Sequence, residues 1–194
     1  LSSEDMEQTT PYRVMAVHRG FPFLSNGQAE HALPIACKML MEGDKPQITV
    51  GDWLLLAKQS SDFVRPLRRF SLIQRQSAGS DNSRQLIAAN IDTMFIVSSC
   101  NADFNPSRLE RYLAIAYAAG VSPVIVLTKL DISDNPQSYA DKALTLGANI
   151  AVELVNAHDP SSIASLHNWC NPGQTVALVG SSGVGKSTLV NTLG

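Results

Sequence analysis

Nine consecutive residues near the carboxyl end, Gly180-Ser181-Ser182-Gly183-Val184-Gly185-Lys186-Ser187-Thr188, carry the strongest chemical signal in the chain. They satisfy G-x-x-x-x-G-K-[ST] and directly follow an apolar T-V-A-L-V run, the order of a strand, a phosphate-cradling loop and a helix. Glycines let such a loop wrap closely around phosphates, so that successive N–H groups and the following helix N-terminus face negative oxygen. Lys186 is expected to reach the β- and γ-phosphates and is the candidate catalytic charge. The hydroxyl of Ser187 is expected to coordinate Mg²⁺. The plain alternative is a glycine-rich turn with a solvated lysine, and the strand placed directly in front speaks against it.

A phosphate loop alone leaves the base undecided. Thr128-Lys129-Leu130-Asp131 follows a V-I-V-L run and matches [NT]-K-x-D, a guanine-reading signature. A carboxylate at Asp131 accepts two hydrogen bonds from guanine N1–H and the exocyclic amino group, a donor pair that adenine lacks. Lys129 can lay its aliphatic stem along the base plane. The alternative is a helix-capping Asp131 beside a surface lysine. A softer signal is Asn156-Ala157 after the 150–155 run, where a backbone amide would meet guanine O6; His158 beside it reads as a loop residue. Asp131 precedes Gly180, whereas an ordinary GTPase has its phosphate loop first, so the order is circularly permuted. Chain order is immaterial to a parallel sheet, because the carboxyl ends of neighbouring strands share one edge whatever connects them.

The elements that must position these loops follow from patterning. From Asp92 onward apolar runs alternate with helical spacing: strands over 93–98, 124–127, 150–155 and 175–179, and helices over 106–119, 136–146 and 161–169. That rhythm predicts a parallel sheet covered on both faces. Between Pro11 and Ala89 the pattern is instead one of short β runs and turns. Tyr12 to Val17 alternates, Ser25-Asn26-Gly27 is a hairpin-type turn, and Ile48-Thr49-Val50 precedes Trp53 to Leu56. A small barrel of the five-stranded OB type fits this length, and such barrels often bind oligonucleotides. Residues 77–84 read as a polar connecting loop. The expected organisation is a polar tail over 1–10, an OB-like unit over 11–89 and an α/β unit over 90–194.

Net charge is −2, unevenly spread. The 11–89 piece has ten Lys or Arg against six Asp or Glu, while 90–194 has five against eight. Arg65, Arg68, Arg69 and Arg75 lie close enough together to neutralise phosphates on a nucleic acid, the alternative being a solvated face. A composition 44% hydrophobic and 16% charged is that of a globular chain and excludes disordered and fibrous classes. No run approaches the roughly 20 apolar residues of a membrane-spanning helix, and the acidic opening residues do not resemble a secretory leader. A cytoplasmic, monomeric chain without membrane partners is the expectation. Cys37, Cys100 and Cys170 are too scattered for a disulfide framework or a zinc motif and read as incidental thiols.

Together these residues carry a resemblance. A β-barrel, then Q-L-I-A-A-N-I-D over 85–92, R-L-E-R-Y-L over 108–113, T-K-L-D and G-S-S-G-V-G-K-S-T is similar to the circularly permuted, ribosome-associated RsgA family, also called YjeQ or EngC. The resemblance implies an α/β P-loop GTPase domain with a circularly permuted, partial parallel sheet, preceded by a small all-β OB-fold barrel. It implies GTP and GDP with Mg²⁺ as ligands, the small ribosomal subunit and its rRNA as partners, and a role in late maturation of that subunit. The family continues beyond the phosphate loop with switch segments, a D-x-x-G element and Cys/His zinc ligands. None of these occurs in the 194 residues, so the expectation is a piece of a longer protein that binds guanine nucleotide weakly and hydrolyses GTP slowly or not at all. Two other readings stay open: an ATP-using P-loop kinase or ATPase, for which Asp131 has no role, and an RNA-binding assembly module with a vestigial nucleotide pocket.

Overall fold

The computed structural model describes residues 2–18, 21–33, 41–42, 45–76 and 84–194. Cys37 and residues 77–83 of the expected polar loop lie outside them. The chain divides into two compact units, Leu1–Asn90 and Ile91–Gly194.

In the first unit, the segment expected as a polar tail carries regular structure over its described residues 2–10. Ser2 and Asp5 form a reciprocal capping box that starts a short helix, α1 (Ser3–Gln8), and Thr9 opens the first strand. Strands β1 (Thr9–His18), β2 (Phe21–Ser25), β3 (Glu30–Ala32), β4 (Met41–Glu42), β5 (Lys45–Pro46), β6 (Trp53–Ala57), β7 (Phe63–Pro66), β8 (Leu72–Gln76) and β9 (Arg84–Ala89) follow. Five of them build one antiparallel sheet in the order β3-β2-β1-β6-β7, while β4 pairs with β5 and β8 with β9. The turn at Asn26 is held by its side-chain oxygen, which accepts the N–H groups of Gln28 and Ala29. Alternate residues Tyr12, Val14, Leu24, Leu54 and Leu56 point into one core with Ile48.

The second unit runs β10 (Thr93–Ser99), α2 (Pro106–Ala119), β11 (Ser122–Thr128), a 3₁₀ turn at Leu130–Ile132, α3 (Pro136–Leu144), β12 (Ala151–Leu154), a second 3₁₀ segment at Ala164–Trp169, β13 (Val176–Val179) and α4 (Lys186–Leu193). Its four strands are all parallel, in the order β12-β11-β10-β13. Every residue of β10 is buried, as expected for a central strand covered on both faces. Phe95, Val97, Val124 and Val126 meet Ile163, Leu166, Val184 and Leu189 on one face. Period-two alternation sends Met94, Ile96, Ile125 and Leu127 to the other, against α2 and α3. Each fully buried large side chain contributes about 2 kcal/mol by leaving water.

Two expected helices come out shorter. α3 stops at Leu144 because the Thr145 hydroxyl turns back onto the Lys142 carbonyl at 2.7 Å. The predicted 161–169 helix is a 3₁₀ segment confined to Ala164–Trp169. Asp159 captures both the N–H and the hydroxyl of Ser161, so the backbone there is spent on a local turn rather than on a first α-helical turn.

Candidate functional site

Register does most of the assembly. Ser99 lies opposite Thr128, Leu127 opposite Leu154, and Ile96 opposite Val179, so β10, β11, β12 and β13 deliver their carboxyl ends to one edge of the sheet. The loops leaving that edge are the ones the sequence singled out.

The phosphate-type loop departs from β13 at Gly180, whose φ is +148° and where an added Cβ would sit 2.2 Å from the Val97 carbonyl oxygen. Only glycine fits so close to the neighbouring strand. Gly183 (φ +77°) has open space where a Cβ would stand, and Gly185 (φ +94°) begins α4. Val184 is buried in the core and anchors the loop from below, while Ser182 and Ser187 are exposed. The Lys186 ammonium folds back along the loop and donates to the carbonyls of Gly180 (2.8 Å) and Ser181 (2.5 Å). Among the described residues, no acceptor takes the N–H groups of residues 183–188. A run of N–H groups at the positive end of a helix, beside a lysine, is a receptor for an oxyanion.

The T-K-L-D segment turns sharply at Lys129, which adopts left-handed backbone (φ +60°), and coils into the 3₁₀ turn that carries Asp131. Asp131 is exposed, and among the described residues it has no hydrogen-bond or ion-pair partner; Leu130 is half-buried. Thr128 behaves differently from the rest of the segment. It is fully buried, and its hydroxyl donates to the Val184 carbonyl at 2.6 Å, with the Ser98 carbonyl at 3.1 Å. The third loop is tied in as well. Asn156 spends its side chain on the His158 N–H and its own N–H on the Ser162 hydroxyl, while the buried Ala157 accepts from Thr192 of α4 at 2.7 Å.

These three loops enclose one cavity of about 350 Å³. Thr128, Lys129, Asp131 and Ile132 line it from the first loop, Asn156, Ala157 and His158 from the second, and Gly183, Gly185 and Thr188 from the phosphate-type loop. Ile132 and His158 were not among the expected site residues; both are exposed on this wall, and only the fold could bring them there.

Arg65, Arg68, Arg69 and Arg75 do not form one free cluster. Arg69 grips Asp52, a carboxylate only 2% exposed, through two bonds of 2.6 Å, and also donates to the Gln47 carbonyl. Arg69 is thus held in an ion pair, with its side chain 25% exposed. Arg65 pairs with Asp5 at 2.6 Å. Arg75 is exposed and donates to Gln85, and Arg68 is exposed without a partner among the described residues. Among the described residues no three His, Cys, Asp or Glu side chains converge as a metal site, and no helix is long and apolar enough to cross a membrane. Burial pushes the Cys100 thiol up to about 11.

A parallel sheet with a glycine-rich loop between a strand end and a helix places the second unit in the P-loop class of α/β folds. Residues 66–194 match the family model described as RsgA GTPase, and the chain belongs to that family. Over 193 residues it is 49% identical to the small ribosomal subunit biogenesis GTPase RsgA 2 of Vibrio vulnificus, covering 100% of this chain and 53% of that protein. Its fold is similar to the crystal structure of YjeQ from Thermotoga maritima, with a TM-score of 0.72 at 19% identity over 95% of this chain and 65% of that one. It is likewise similar to YloQ, a circularly permuted GTPase, with a TM-score of 0.65 at 20% identity over 98% and 66% of the two chains. The chain spans about half the length of the curated relatives it matches.

Proposed function

We propose that this chain binds guanine nucleotide across the three-loop cavity, and that the protein it belongs to hydrolyses GTP to GDP and phosphate during maturation of the small ribosomal subunit. The observation that carries this reading is the single cavity shared by Asp131 and the phosphate-type loop. The relatives, named as small ribosomal subunit biogenesis GTPases, supply the cellular context.

The division of labour follows from the chemistry of each group. Asp131, exposed and unengaged, accepts from guanine N1–H and the amino group, and the Lys129 stem covers a face of the base. The Ala157 N–H is the donor for O6. The phosphates lie along the N–H groups of the loop, with Lys186 leaving the Gly180 and Ser181 carbonyls for phosphate oxygen. The residues fit Mg²⁺ in the same arrangement, since the Ser187 hydroxyl is exposed in the first turn of α4. Mg²⁺, when bound, neutralises charge on the β- and γ-phosphates. Ser181 and Ser182 shape the loop, and Lys186 opposes the charge that develops as water attacks the γ-phosphorus.

An OB-type role for the β unit, with rRNA as its partner in the cytoplasm, belongs to the same reading. Arg65, Arg68, Arg69 and Arg75 are its candidate charges, of which Arg68 and Arg75 are exposed and outside any ion pair among the described residues.

Equilibrium titration of the full-length protein with GTP, ATP and xanthosine triphosphate tests the reading. Preference for GTP, moving toward xanthosine triphosphate in Asp131→Asn, is the expected result. Equal affinity for ATP and GTP, untouched by that substitution, would instead establish the ATP-using reading. No binding of any nucleotide would leave the RNA-binding module.

A further inference from the structure

Arg108 stands in the first turn of α2, and its guanidinium donates to the hydroxyl of Ser181, the second residue of the phosphate-type loop and 73 positions away. Three features of this placement are unusual together. The side chain is half-buried, yet among the described residues no carboxylate lies within ion-pair distance of it. It sits at the positive end of a helix whose first turn holds no acidic residue, where a cation is disfavoured. Its one side-chain partner, Ser181, already receives the Lys186 ammonium on its carbonyl. Two cations therefore converge on one residue with no anion from the described residues between them, and a guanidinium fork has donors left over.

The side of the loop also matters. The cavity reaches Gly183, Gly185 and Thr188 but neither Ser181 nor Arg108. With a base against Asp131, a phosphate chain following the loop from the Gly183–Thr188 wall would bring its terminal phosphate to the Ser181 side.

We propose that Arg108 contacts the terminal phosphate of the bound nucleoside triphosphate, making it the residue through which this site tells GTP from GDP. The inference rests on the guanine-nucleotide reading above and assigns a residue that the phosphate-loop motif does not contain. In GDP the guanidinium keeps Ser181 as its partner. In the triphosphate it gains a doubly charged anion, the partner it otherwise lacks.

The test is a titration of the full-length protein with GDP and with the non-hydrolysable β,γ-imido analogue of GTP, read as the ratio of the two affinities. Arg108→Ala should weaken the analogue about tenfold or more while leaving GDP within about threefold. Arg108→Gln keeps a hydrogen-bond donor for Ser181 but no charge, and should lower the ratio as Arg108→Ala does. Arg111→Ala removes an exposed charge from the next turn of the same helix and should leave the ratio unchanged. If Arg108→Gln restores the wild-type ratio, or if Arg108→Ala weakens both nucleotides equally, Arg108 only braces the loop and the proposal is overturned. Failure of the unsubstituted protein to bind either guanine nucleotide would remove the functional reading itself, a different result from binding with an unaltered ratio.

Discussion

The Thr128 hydroxyl donates to the Val184 carbonyl at 2.6 Å, joining the loop that carries Asp131 to the loop that carries Lys186 across 56 positions of sequence. Both groups are buried, so the bond holds the two loops in one geometry without touching solvent. Nothing in an isolated T-K-L-D tetrapeptide announces this role. A second tie, from Thr192 to the Ala157 carbonyl, fastens the third loop to α4 in the same way.

Thr128→Val keeps the shape of the side chain and strands the Val184 carbonyl. The expected loss of stability is about 1–3 kcal/mol, the cost of an unsatisfied buried polar group. GTP and GDP should weaken together, because both depend on the spacing of the loops. Urea unfolding and nucleotide titration on the same preparation check it; a variant as stable as the parent would show that the bond carries no load.

Asp131→Asn should separate binding from folding. Asp131 is exposed and has no partner among the described residues, so its replacement should move stability by no more than about 0.5 kcal/mol. GTP affinity should nevertheless fall by about 10- to 100-fold, the worth of charge-assisted hydrogen bonds to the base. A thermal melt beside the titration would expose the opposite case, in which affinity is lost only because the fold is.

In the first unit Asp52→Ala leaves Arg69 without its carboxylate and the Thr49 N–H without its acceptor. Breaking a buried pair from one side costs about 3–5 kcal/mol. Arg69→Ala should therefore act on folding, whereas Arg68→Ala and Arg75→Ala should preserve the melting temperature and each lower the salt slope of RNA binding by about one. Filter binding across a salt series decides between these. An Arg69→Ala protein of native stability with a reduced slope would return that residue to the RNA surface.

Asp159 supplies a pH dependence. The hydroxyl and N–H of Ser161 hold its carboxyl below the usual carboxylate value of 3.8. A folded value below the unfolded one means that the stabilisation is fully present above about the unfolded value and disappears as pH falls through the folded one. The Ser161 amide resonance should therefore move with an apparent titration point below 3.8, and Asp159→Asn should abolish that movement. A midpoint above 3.8 would contradict the assignment.

How much was legible depended on the range of the interaction. β10 could be read because T-M-F-I-V-S is a local apolar run, and α2 because Pro106 opens it and Gly120, at φ +70°, closes it. The weaker helices were misjudged where side chains compete for backbone groups, at Thr145 and Asp159. Arg69 looked like a free charge because its partner, Asp52, lies 17 positions away on an element whose burial no local pattern reveals. Ile132 and His158 gave no signal that they share a cavity wall with Gly183.

Taken by itself, the order of residues determined which chemistries are available: a lysine and glycines spaced for phosphate, a carboxylate suited to guanine, and runs of apolar residues long enough for parallel strands. These depend on residue type and short-range spacing, which one chain segment contains in full. The tertiary structure decided which groups meet. Parallel pairing of Ser99 with Thr128 and of Ile96 with Val179 brings remote loops to one edge, Thr128 locks two of them together, and Arg108 comes to rest on Ser181. Such contacts are set by strand register and burial, which no segment specifies until the sheet has formed.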